Sequence, residues 1–236
     1  MATFEEIRDL PIIQLALDDL KCHLPQNFSY HSIEHTKNVM KTVYDLAVAD
    51  NLSSRKVELL VVAAAYHDWG YLERSRRNEP IGARKAIWEM IKSGGYSLGE
   101  MIGVARAILA TALEKNKNDV MVQNPRTELG KYLCDADLSS FGRTSFFLDS
   151  LNVLREIGGP NISNGAELLD NNDKVLPFLK STLTMMKAHQ YQTKAAKDAF
   201  NEQKETNVKN LSDLVRAVKG NNTEDVSRIF SSMTNT

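Results

Sequence analysis

Apolar residues recur along most of this chain with helical spacing. Over residues 3–23, Ile7, Leu10, Ile13, Leu17 and Leu20 fall near every third or fourth position. That pattern predicts a first amphipathic helix, broken by Pro25 and Asn27. Ile33, Val39, Met40, Val43, Leu46 and Ala47 form a second stripe, over about 32–50, which Asn51 stops. From Val57 to Tyr66 the chain is nearly all apolar, with Ser53 or Ser54 placed to cap a helix over 54–69. A helix apolar on every side belongs in the centre of a bundle.

Downstream the same reading continues. Pro80 suits the first turn of a helix over 80–93 that Gly94 and Gly95 end. Ser97 with Glu100 makes a capping box for the next, over 97–113. A polar loop, 114–125, precedes helices over about 126–140 and 143–157. The Gly- and Asn-rich stretch 158–173 predicts irregular chain around a short helix, followed by helices near 174–190, 192–219 and 223–233. No segment alternates convincingly as a strand, so the expected class is all-α: one domain over 1–236, with a C-terminal helical extension from about 160 packed on it.

Composition narrows the functional classes. A net charge of −1 carries no basic excess for an extended nucleic-acid surface, and no basic amphipathic stretch marks a membrane face. No run approaches the roughly 18 apolar residues of a membrane span. The N-terminal MATFEEIRDLPII is acidic and unlike a secretion signal. Cys22 and Cys134 lie far apart and match no zinc spacing. These features predict a cytoplasmic protein with a small-molecule partner, and they leave the oligomeric state open.

The candidate chemistry sits in three short motifs. The first is His67–Asp68, at the end of the apolar run AAAY. Neighbouring helical side chains point about 100° apart, so the pair shares a partner most readily as ligands of a metal beyond the helix end. Imidazole with carboxylate suits a divalent ion such as Mn, Fe, Co, Ni or Zn. Trp69 is placed to pack over such a site, and Gly70 to stop the helix. The second motif is YHSIEHT, in which His31 and His35 share a helical face. Both rings can hold one ion, or one can bind while the other serves as an acid. The third is CDADLSSFG, where Asp135 and Asp137 point about 200° apart, so that one binds metal and the other bonds elsewhere.

The order His, His-Asp, Asp over about a hundred helical residues resembles the HD superfamily of metal-dependent phosphohydrolases, from about residue 25 to 145. YHSIEHTKNV and ADLS are also similar to motifs of the cyclic-nucleotide phosphodiesterase branch. The resemblance implies a helical bundle with His35, His67, Asp68 and Asp137 as metal ligands and His31 as general acid. Many two-metal members carry a histidine before the glutamate of the following segment. Here that place is Asn78–Glu79, which implies one divalent ion (Mn, Mg, Fe, Co, Ni or Zn). An oxygenase of this fold would need a two-iron site, and the further histidines for it are absent.

The implied function is metal-dependent hydrolysis of a nucleotide or other small phosphorylated metabolite, as phosphomonoesterase, phosphodiesterase or pyrophosphohydrolase. The alternative is a non-catalytic nucleotide-binding or signalling module that keeps the fold. Asp68, or else Glu79, would orient the attacking water. Arg74 and Arg77, in the basic loop GYLERSRRNE, and Lys37 are candidates to hold phosphate oxygens.

Overall fold

The structure, a computed structural model, describes residues 2–234. Helices dominate, as expected: among the described residues there are twelve α-helices and one pair of two-residue strands. The chain divides into two compact units, Met1–Glu114 with Gln123–Ser139 and Tyr191–Asp198, and Lys115–Val122 with Ser140–Gln190 and Ala199–Thr236. Residues 191–198, within the span expected as the C-terminal extension, therefore belong to the first unit.

The first unit holds α1 (Phe4–Arg8), α2 (Pro11–His23), α3 (Ile33–Ala49), α4 (Ser54–Tyr66), α5 (Glu79–Ser93), α6 (Leu98–Ala110) and α7 (Glu128–Asp137). The single helix predicted over 3–23 is two. Pro11 opens α2, and Leu10 before it is held extended at φ −61°, ψ 136°. A proline disfavours helical backbone at the preceding residue and cannot donate into the turn behind it.

At the centre lies α4, as its uninterrupted apolar run requires. Ser53 caps it by accepting from the Lys56 N–H, and Val57 with Leu59–Tyr66 is buried. It packs against α2, α3, α5, α6 and α7. Tyr66 buries its ring and donates from its hydroxyl to the Ile12 carbonyl at 2.7 Å, which satisfies the polar tip.

The predicted 54–69 helix stops three residues early. His67 follows its last residue, and Trp69–Leu72 form a 3-10 turn. Gly70 is not the left-handed stop residue expected of it. It is buried in the turn, where an added Cβ would stand 2.0 Å from the Asn78 carbonyl oxygen. A second close approach follows at Gly82, where a Cβ would meet the Tyr66 carbonyl oxygen at 2.3 Å. Both glycines are required by close backbone packing, Gly70 against Asn78 and Gly82 against the end of α4.

The Ser97–Glu100 capping box forms as predicted at the start of α6, and Gly94 and Gly95 end α5 with φ of 70° and 74°. The 114–125 stretch is not wholly loop: Glu114–Lys115 (β1) and Met121–Val122 (β2) pair.

The second unit contains α8 (Phe146–Glu156), α9 (Gly165–Asp170), α10 (Asn172–Ala188) and α12 (Thr223–Thr234). The long α11 (Lys194–Lys219) begins in the first unit and continues in the second. Val226, Ile229, Phe230 and Met233 form the buried stripe of α12, with Phe230 edge-on to Phe147 at 5.5 Å. Among the described residues no helix is long and apolar enough to cross a membrane.

One buried carboxylate fastens the returning segment 191–198 to the first unit. Asp135, only 1% exposed, accepts from the Gln192 N–H at 2.8 Å and, through Oδ2, from the Thr193 N–H and hydroxyl, both at 2.8 Å. Burial raises the Asp135 pKa, against the lowering by these donors. Asp135→Ala strands the donors in the interior. It is expected to cost about 3 kcal/mol or more, which lowers Tm by roughly 6–12 °C. Thermal melts of the variant beside wild type measure this, and an unchanged Tm would remove Asp135 as the fastening.

Candidate metal centre

Asp68 stands just past the end of α4, where the backbone turns from the helix into the 3-10 turn. His67 is fully buried, and its Nδ1 lies 2.7 Å from the Ala64 carbonyl oxygen. A carbonyl can only accept, so Nδ1 carries the proton and the neutral ring presents its lone pair from Nε2. That nitrogen lies 3.4 Å from His35 Nε2.

His35 enters from the first turn of α3. Ser32 caps that helix, accepting from the His35 N–H at 3.3 Å, and so fixes where the imidazole begins. Two carboxylates complete the group. Asp68 Oδ2 is 3.2 Å from His67 Nε2 and 3.4 Å from His35 Nε2. Asp137 Oδ1, from the last residue of α7, is 3.3 Å from His35 Nε2 and 3.5 Å from His67 Nε2. Asp68 Oδ2 is buried with no hydrogen-bond donor directed at it.

These separations fit a shared cation. Donors held about 2.1 Å from one divalent ion stand roughly 3.0–3.4 Å from one another. Two neutral imidazoles and two carboxylates also bring a charge that a divalent ion cancels. His35, His67 and Asp68 form a group able to hold a metal. Asp137 meets both rings through Oδ1.

The electrostatics point the same way. Burial works against the charged form of His67, but Asp68 and Asp137 outweigh it and raise its pKa well above 6.5. Burial likewise opposes ionisation of Asp68 and Asp137. For Asp68 the charge of the adjacent His67 prevails, and for Asp137 the hydrogen bonds of His35 and His67 do, so both pKa values fall. A proton on His67 and a metal at its Nε2 are competing ways of neutralising one cluster.

The other expected residues have diverse placements. His31 does not share a helical face with His35, because it precedes the N-cap Ser32 and lies outside α3. A turn still brings it alongside: its ring is 5.8 Å from that of His35 and stacks on Tyr71 at 4.5 Å. Tyr71, and Tyr30 at 4.8 Å from the His35 ring, frame the histidines without having been singled out from sequence. An aromatic beside a histidine is too common a signal to select.

Glu79 is half buried in the first turn of α5, outside the His35–His67–Asp68 group. Arg74 and Arg77 are exposed, and Arg74 donates from Nη2 to the Arg77 carbonyl at 2.8 Å. Lys37 is exposed and pairs with Glu34 at 2.8 Å. Trp69, expected over the metal, donates from Nε1 to Asp19 at 3.0 Å and carries the Lys85 ammonium 4.8 Å above its ring. The residue that sequence gave no reason to select is Gln123, whose Nε2 donates to Asp137 Oδ2 at 2.7 Å.

Residues 32–141 match the model of the HD domain. Over this span the chain carries an HD domain. The HD-domain match takes in His35, His67, Asp68 and Asp137. Among solved structures, a Lactobacillus plantarum protein aligns over 95% of this chain and 100% of its own, with a TM-score of 0.56 and 15% identity. A predicted HD superfamily hydrolase from an uncultured Thermotogales bacterium aligns over 78% of this chain and 98% of its own, at a TM-score of 0.48 and 19% identity. Among curated proteins none matches.

The shifts set a pH signature. The raised His67 pKa contributes stability that is full below 6.5 and lost as pH climbs through the folded value. The lowered Asp68 and Asp137 values contribute stability that is full above 3.8 and lost as pH falls. Chelator-treated protein should therefore gain most from the cluster between about pH 4 and 6.5. A divalent ion displaces the His67 proton, so the rise in Tm on adding Mn or Zn should grow from pH 6 to 8. Melts across that range, with and without the ion, check both trends; a metal-induced rise that shrinks with pH would contradict the assignment.

Proposed function

We propose that this chain is a metal-dependent phosphohydrolase acting on a nucleotide or other small phosphorylated metabolite. The observation that carries the reading is the convergence of His35 Nε2, His67 Nε2, Asp68 Oδ2 and Asp137 Oδ1, with five separations among them of 3.2 to 3.5 Å. A divalent ion bound there supplies a water of lowered pKa and offsets the negative charge of the phosphoryl oxygens.

The remaining steps fall to the protein. Asp68 orients the attacking water and accepts its proton, from a place already beside both imidazoles. His31, held against Tyr71, gives a proton to the leaving oxygen. An imidazole titrates near neutrality and so suits that transfer. Arg74 and Arg77 receive the phosphate from the loop before α5. Arg74 exchanges its bond to the Arg77 carbonyl for the substrate, and Lys37 exchanges a surface pair with Glu34, a type of contact of little energy.

The test joins metal analysis of wild type, His67→Ala and Asp68→Ala to assays on phosphate esters and nucleotides with Mn, Mg, Co and Ni. About one ion per chain is expected in wild type, lost in both variants together with turnover. His31→Asn should keep its metal and lose about 10²-fold or more in kcat on substrates with basic leaving groups. Its loss should be much smaller on p-nitrophenyl esters, which need no proton. Metal binding with no hydrolysis of any substrate would instead favour a binding or signalling module.

A further inference from the structure

Asp137 uses its two oxygens differently. Oδ1 faces His35 and His67, while Oδ2 receives the Gln123 amide at 2.7 Å. The same Nε2 donates its other proton to the Thr111 carbonyl at 2.9 Å. Thr111 is the C-cap residue of α6, and its hydroxyl is turned back to the Ile108 carbonyl at 2.8 Å. That hydroxyl is thus used within its own helix, while the Thr111 carbonyl becomes a fixed point of the site.

The direction of the amide follows from its partners. Both are pure acceptors, so a flipped Gln123 would aim an oxygen at a carboxylate and at a carbonyl. With Nε2 toward them, both N–H groups are used. The Oε1 atom is buried and accepts no hydrogen bond from the protein. Leaving an acceptor unpaired in the interior is unfavourable, and here it accompanies a fully committed donor group.

We infer that Gln123 is the positioning residue of this centre. It ties Asp137 Oδ2 to the end of α6 and so presents Oδ1 alone to the ion. The inference rests on the metal-binding reading above. A carboxylate free to turn about its last bond can offer either oxygen or both. One held by Oδ2 is a single-oxygen ligand of set direction, and this fixes coordination number as well as affinity.

The test titrates Co and Zn into chelator-treated wild type, Gln123→Met and Gln123→Ala against a competing chromophoric chelator. The visible absorption of bound Co is recorded in parallel. Methionine keeps the length and volume of glutamine without its donors. Both variants are expected to bind about 10- to 100-fold more weakly than wild type. Their Co bands should be shifted, because Asp137 is no longer restricted to one oxygen.

Circular dichroism and the metal-free Tm report whether each variant folds. Should Gln123→Met fail to fold, Gln123→Asn takes its place, keeping an amide one methylene short of its partners. It should show the same weakening and shifted bands. If the variants bind with wild-type affinity and an unchanged Co spectrum, the positioning role is overturned and the metal centre stands. Gln123→Met matching wild type while Gln123→Ala loses affinity would make the residue a packing element and also overturn it. Wild type that binds neither ion removes the metal centre itself and the inference with it.

Discussion

Four electron-rich donors directed at one another within a protein interior repel unless something positive lies among them. That constraint governs the first unit. The donors come from three places, the first turn of α3, the end of α4 and the last residue of α7. Their convergence requires these helix ends to be fixed in space. A proton on His67 meets the charge demand in part, and a divalent ion meets it in full, so the centre is poised between two states of different charge.

The packing around α4 supplies the fixity. Because the helix is buried from Leu59 to Tyr66, its end cannot shift without moving the core. Gly82 lets α5 approach the Tyr66 carbonyl, and Gly70 brings the turn after Asp68 against Asn78. Beside this turn, Asp19 of α2 accepts from the Trp69 indole and lies 3.4 Å from the Lys85 ammonium, which is also 3.1 Å from Glu89. Trp69 thus anchors the turn to α2 and α5. It is a restraint on the backbone carrying Asp68, a role its place next to the motif does not announce.

The parts legible in the sequence are those dictated locally. The unbroken apolar run gave α4 its central place, Ser97 and Glu100 marked the start of α6, and paired glycines marked the end of α5. The three motifs supplied the candidates, and the resemblance to the HD superfamily picked His35 over His31 and Asp137 over Asp135, choices that spacing alone left open. Local reading failed where the chain's own geometry intervened. Pro11 split the first helix, and Ser32 began α3 one residue after His31. It also failed where the cause was distant. Nothing near Gln123 signals a bond to a carboxylate fourteen positions later, and Asp135 is explained only by donors 57 and 58 residues away.

The bond from Asp135 to Thr193 bears on synthesis as well as on stability. A ribosome delivers the chain from one end, at about 5–20 residues per second. All four candidate ligands are present once residue 137 has emerged. The donors for the carboxylate two positions earlier are not made until the intervening 140–190 segment, which belongs to the other unit, has been translated. During that interval the nascent first unit must leave Asp135 hydrated or unpaired. Its final closure is therefore a late event, and a nascent chain ending near residue 190 would carry every metal donor without the segment that seals α7.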